Sequence, residues 1–134
     1  MIKKLLVPIA LLFIFSCNSG DKKIAVTDTD VATAFIRSIL DNDFKTAEQY
    51  LLKDEMNQQY FERFEQGYSS KDKAELEKYK ASDILINKID AANDSTRIVD
   101  YSNTYKKDIK TKLKLVWVDG KWLVDLKYTS AENQ

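Results

Sequence analysis

The sequence predicts an α+β domain, with N-terminal helices packed on a curved antiparallel four-stranded meander. Three observations carry this. Apolar residues recur every three or four positions between Val31 and Phe64, the spacing of one helix face. From Ser82 the period shortens to two, the spacing of a half-buried strand. Finally, Asp119-Gly120 separates two alternating runs, the strongest short-range sign of a hairpin. Helices followed by strands place the helices together on one face of the sheet.

The first helix is expected to be capped by Asp28, Thr29 or Asp30, whose side-chain oxygens can accept from its unpaired N–H groups. Its apolar face is Val31, Phe35, Ile36, Ile39 and Leu40. Asp41-Asn42-Asp43 ends it and caps a second helix with Phe44, Ala47, Leu51 and Leu52 on one face. Met56, Tyr60 and Phe64, with Phe61 beside them, predict a third helix, closed by Gly67. Ser69 and Asp72 offer a cap for a short polar helix through Tyr79. Ile84 to Ile89 is the first strand and Ala92-Asn93-Asp94-Ser95 a turn. Thr96 to Tyr105 is the second, with Val99, Tyr101 and Tyr105 on one face and Ile98 on the other. After a turn at Lys106-Lys107-Asp108, Ile109 to Val118 and Lys121 to Tyr128 form the closing hairpin. A two-residue turn there pairs Val118 with Lys121, Trp117 with Trp122, Leu115 with Val124 and Leu113 with Leu126. On the opposite face Lys114 meets Asp125.

Ahead of this domain, Lys3 and Lys4 precede an apolar run from Leu5 to Phe15, followed by Ser16 and Cys17. That is the charged and hydrophobic pattern of an export signal, too short to span a bilayer as a helix. The expected organisation is a signal peptide at 1–16, a lipidated Cys17 with a flexible tether at 17–27, the α+β domain at 28–128 and a tail at 129–134. The chain balances 21 Lys and Arg against 21 Asp and Glu. Excision of Lys3 and Lys4 leaves a slight acidic excess, which argues against a nucleic-acid partner. The chain has no histidine, and so lacks the commonest general base and metal ligand. With Cys17 lipidated, thiol chemistry goes as well. No cofactor and no metal are expected: Asp41-Asn42-Asp43 starts like a calcium loop but lacks its third ligand and central glycine.

Ile14-Phe15-Ser16-Cys17 resembles the lipobox of bacterial lipoproteins. The resemblance implies cleavage before Cys17 and attachment to the membrane of the bacterial cell envelope through lipid. An ordinary secretory signal is the alternative. Val31 to Ile36, Leu40 to Phe44, Ala47 and Tyr50-Leu51 resemble the opening helices of the nuclear-transport-factor-2-like superfamily, a cone-shaped α+β fold. The run Val116 to Val124 resembles that fold's last two strands. Lipobox and domain together are similar to small Bacteroidetes-type lipoproteins whose cystatin-like domain has no assigned function. The fold hosts enzymes and non-enzymes alike, so it names no activity.

The expected function is therefore a non-catalytic envelope module that binds a small molecule or a protein. Tyr50, Tyr60, Tyr101, Trp117 and Trp122 are its candidate pocket residues. One alternative is an isomerase or lyase resembling ketosteroid isomerase, with Asp100 or Asp125 as base beside Tyr50, Tyr60 or Tyr101. In the bland reading those tyrosines only pack, and Asp125 pairs with Lys114. The tryptophans likewise form either an aromatic platform or the apolar end of the core. A second alternative is a structural subunit or homodimer partner, suggested by Ile98, Val116 and Leu123 on the outer sheet face. Asp94-Ser95-Thr96 resembles a short O-glycosylation acceptor, with Ser95 the acceptor on a turn. Lys71 to Lys80 reads as a solvated helix face.

Overall fold

The computed structural model describes residues 26–128. The expected signal peptide, Cys17, residues 18–25 of the tether and the tail at 129–134 lie outside the described residues. The order is α1 (Asp28–Leu40), α2 (Phe44–Ala47), a 3-10 turn (Glu48–Tyr50), α3 (Glu55–Ser69) and α4 (Lys73–Lys80), then β1 (Ile84–Asn93), β2 (Thr96–Asn103), β3 (Thr111–Val118) and β4 (Lys121–Asp125). The strands form one antiparallel sheet in the order β1-β2-β3-β4. This is the predicted α+β meander. Among the described residues no helix is long and apolar enough to cross a membrane.

Thr27, not Asp28, Thr29 or Asp30, caps α1. Its hydroxyl accepts from the Asp30 N–H at 3.1 Å, and the Asp30 carboxylate accepts from the Thr27 N–H at 3.3 Å. Asp28 instead receives the Arg97 Nε–H at 2.9 Å, which ties the start of α1 to β2. Asn42 turns the chain after α1 in the left-handed region, at φ 57°, which asparagine tolerates. The second helix is shorter than predicted. Leu51 leaves it for extended backbone because β4 offers a partner: Leu51 bridges Val124 in parallel, and the Leu52 N–H donates to the Val124 carbonyl at 2.9 Å.

The buried face of α3 is Asn57, Phe61 and Tyr68, one residue out of phase with the predicted stripe, and Met56 is 53% exposed. An asparagine sits where the apolar pattern wants a hydrocarbon. Gly67 lies inside α3, which runs on to Ser69. A methyl group there would meet nothing within 4 Å. Gly67→Ala is therefore expected to stabilise the protein by about 0.5–1 kcal/mol, read as a higher Tm.

Irregularities at Asn87 and Ala92 bend β1 around its neighbour and give the sheet its curvature. Its turn to β2 is only Asp94-Ser95, because β1 runs on to Asn93. Val99, Leu113, Leu115 and Val124 line the concave face and pack under α1 with Phe35 and Ile36. The closing hairpin pairs Val118 with Lys121, Trp117 with Trp122, Leu115 with Val124 and Lys114 with Asp125, as its sequence predicts. Asp119 and Gly120, at φ 51° and 80°, both occupy the positive region a tight hairpin turn demands. The expected Leu113–Leu126 pair does not form. The ladder stops at Asp125 because the Leu126 N–H donates to Asn57 Oδ1 at 2.7 Å. On the outer face Leu123 is already buried within this chain, while Ile98 and Val116 are half-buried.

A polar clasp therefore joins α3 to the end of the sheet. Asn57 Nδ2 donates to Asp54 at 2.9 Å and to Asp125 at 3.3 Å. Asp54 caps α3 through the Asn57 N–H and receives Lys127 Nζ at 2.5 Å. The Lys127 ammonium, then the Asn57 N–H, hold the Asp54 carboxyl at about 2. A carboxylate with a lowered folded pKa contributes stability above its unfolded pKa of about 3.8 and loses it as pH falls toward 2. Asp54→Asn is expected to flatten the decline in stability between about pH 4 and 2, measured by denaturant titration at each pH.

Candidate ligand-binding site

A cavity of about 200 Å³ lies between the helices and the β2–β3 end of the sheet. The second half of α1 supplies Ile36, Ile39 and Leu40, α3 supplies Phe64 and Tyr68, and α4 supplies Tyr79. Tyr101 and Ser102 enter from β2, and Lys106, Ile109 and Thr111 from the segment leading into β3. That segment is shaped by Asn103, whose side-chain oxygen accepts from the Tyr105 and Lys106 N–H groups at 3.0 and 2.9 Å. The fold thus brings distant residues to one end: an apolar helix face as floor, aromatic rings as walls and lysines at the rim.

The aromatic wall is continuous. Tyr68 lies 5.8 Å from Phe44 and 5.4 Å from Tyr79, and Tyr79 meets Tyr105 edge-on at 5.0 Å. Lys71 and Lys106 stand 5.8 and 5.4 Å from the centre of the Tyr79 ring. Both reach the same Glu75 oxygen, at 3.6 and 3.3 Å. One carboxylate therefore serves two ammonium groups, and no carboxylate lines the cavity itself among the described residues.

The titratable lining groups are tyrosines and lysines. Burial pushes the Tyr68 hydroxyl far above its ordinary pKa, with Tyr79 adding to the shift. Tyr101 is pushed up to about 12 by burial, partly offset by its hydrogen bond with Thr111. Both phenols stay protonated at neutral pH. Lys106 is raised by its hydrogen bond with Tyr79 and then by Glu75, so it stays charged. The Tyr68 hydroxyl is buried and has no hydrogen-bond partner among the described residues. A buried polar group without a partner costs free energy. Tyr68→Phe is accordingly expected to raise stability by about 1 kcal/mol, measured as the denaturation midpoint, where most core substitutions lower it.

Of the five tyrosines and tryptophans singled out in the sequence, Tyr101 lines this cavity. Tyr50, in the 3-10 turn, and Tyr60, on α3, pack half-buried against the core elsewhere. Trp117 and Trp122 meet edge-on at 5.3 Å on the closing hairpin. Arg97, paired with Asp28, covers Trp122 at 4.8 Å, and Trp117 is 44% exposed. The two tryptophans form a capped aromatic end outside the cavity. The structure does not gather the five into one pocket.

Nor do the candidate bases reach it. Asp100 accepts from Asn87 at 3.0 Å, and Asp125 lies in the clasp, with Lys114 at 3.7 Å. The Ser95 hydroxyl sits on the β1–β2 turn and donates to Asn93 at 3.1 Å. Asp41 pairs with Arg37 and Asp43 caps α2. No cluster that could hold a metal ion occurs among the described residues.

The reading of Lys71 to Lys80 as a solvated face is corrected at Tyr79 and Leu76, which pack against the core, and at Lys71 on the cavity rim. Tyr68, Tyr79, Lys71 and Lys106 were not legible as one site. The signal nearest to them is the Phe64–Tyr68 spacing of four, which a helix ending at Gly67 leaves unread.

No family model matches the chain, and no curated protein matches it. Among solved structures it is similar to that of a "putative NTF2-like transpeptidase" from Campylobacter jejuni. The identity is 19%, the TM-score is 0.52, and the match covers 72% of this chain and 94% of that one. At this identity the likeness concerns architecture alone. Helices followed by a four-stranded antiparallel meander, closed by this hairpin, are an NTF2-like fold.

Proposed function

We propose that the chain is a bacterial envelope lipoprotein, anchored through Cys17, whose domain binds a small molecule without transforming it. The observation that carries the binding reading is the cavity itself, about 200 Å³ with an apolar helix face on one side and Lys71 and Lys106 on the other. The cavity is somewhat smaller than a drug-sized pocket of roughly 300–1,000 Å³, so the ligand is small. The anchor is supported by the sequence pattern around Cys17.

The name of the structural neighbour raises a catalytic reading, transpeptidation, which needs a nucleophile and a base to activate it. Ser102 and Thr111 are the aliphatic hydroxyls on this lining. Thr111 is hydrogen-bonded to Tyr101, and the Ser102 hydroxyl receives the Asn87 amide at 3.5 Å, with no base beside it among the described residues. Lys106 has its pKa raised, the wrong direction for a base. Ketosteroid-isomerase chemistry needs a carboxylate in the cavity, and Asp100 and Asp125 are engaged elsewhere. These arrangements favour binding over catalysis.

The test has two readouts on the full chain expressed in a bacterial host. Labelled palmitate should enter the wild type and not Cys17→Ala, with the wild type in the membrane fraction. A panel of ring-sized organic molecules should contain members that raise the Tm of the wild type and not of Leu40→Trp, which fills the cavity. An unlabelled wild type refutes the anchor. A panel without effect, or one that stabilises both proteins equally, refutes the binding site.

A further inference from the structure

We infer that the cavity selects a small anion: a ring-sized apolar body carrying a carboxylate, held by Lys71 and Lys106. The inference rests on the binding reading above and goes further by naming the ligand's charge.

Size comes first. An apolar cavity of roughly 150 Å³ accepts a benzene ring. About 200 Å³ takes a ring with one compact substituent. The floor and walls, Ile36, Ile39, Leu40 and Phe64, offer such a ring nothing but apolar contact. The substituent must therefore meet the polar part of the lining, where the charged groups are the two lysines. Lys71 and Lys106 bring positive charge to the rim.

Glu75 sharpens the argument. It is the acid paired with both lysines, through one oxygen, and does not itself line the cavity. The pair of ammonium groups is left with a net positive charge facing an opening of low polarity. A cationic ligand would meet that charge without a carboxylate to balance it. A neutral ligand would gain nothing from the charge of the lysines. A carboxylate can pair with both lysines, and charge-assisted hydrogen bonds are the stronger kind. Two charged contacts cannot form at full strength with Glu75 still in place, so Glu75 competes with the ligand for the same ammonium groups.

Benzoate, benzamide and benzylammonium share a ring and differ in charge, so they separate these cases. Each is titrated calorimetrically into the full chain in non-ionic detergent, with a detergent blank. Benzoate should bind about tenfold more tightly than benzamide, and benzylammonium should not bind. Lys106→Gln should weaken benzoate about tenfold and leave benzamide unchanged. Glu75→Gln should tighten benzoate, an effect of opposite sign that loss of folding would not produce. Equal binding of benzoate and benzamide, or weaker benzoate binding in Glu75→Gln, overturns the charge selection while the binding reading stands. If none of the three binds, both fall.

Discussion

Replacing Asn57 by Leu is expected to destabilise the protein by about 2–4 kcal/mol, although leucine matches the apolar phase of α3. Asn57 is fully buried and uses both ends of its amide. Its oxygen accepts the Leu126 N–H, and its nitrogen donates to Asp54 and Asp125. Leucine would leave the Leu126 N–H unpaired and the nearly buried Asp125 carboxylate without one of its donors. The cost comes from those stranded groups more than from the lost bonds themselves. Asn57→Asp should also destabilise, because it sets a third carboxylate beside Asp54 and Asp125. Equilibrium denaturation of both variants checks this, and a Leu variant as stable as wild type would show that the clasp is dispensable.

Replacing Phe35 by Ala is expected to cost about 3–5 kcal/mol. Phe35 is 2% exposed and belongs to the core in which α1 packs with the sheet residues Val99 and Leu115. The loss combines burial of the ring with the void left among neighbours anchored by a sheet ladder that cannot close inward. A small domain has only about 5–15 kcal/mol of net stability, so this variant approaches unfolding at ambient temperature. The signature is a lower denaturation midpoint with an unchanged slope. Phe35 is outside the cavity lining, so any folded fraction should still bind benzoate.

How much was legible in the sequence follows from which forces are local. The hairpin register was legible from Val118–Lys121 to Lys114–Asp125, though not the lost Leu113–Leu126 pair, because one constraint, the positive φ of Asp119 and Gly120, fixes it and the alternation agrees with it. The helical half was legible as helices but not in its limits. Leu51 obeys the sheet edge rather than its helix, and α3 is rotated by a buried asparagine whose partners lie at 125 and 126. Propensity carries no trace of such long-range bonds. The site was less legible still. Tyr101 was singled out by its strand position, but Tyr68, Tyr79, Lys71 and Lys106 meet only once α3, α4 and the segment before β3 converge. Trp117 and Trp122 drew attention by size, yet cross-strand pairing and Arg97 account for them.

The most direct test of the account is where a ligand lands. Methyl-labelled isoleucine spectra of the full chain in detergent, recorded during a benzoate titration, resolve this by residue. The account predicts saturable shifts at Ile36, Ile39 and Ile109, which line the cavity, and still signals at Ile98, which lies on the outer sheet face. Shifts concentrated at Ile98, or no saturable shift at the three cavity residues, would contradict it.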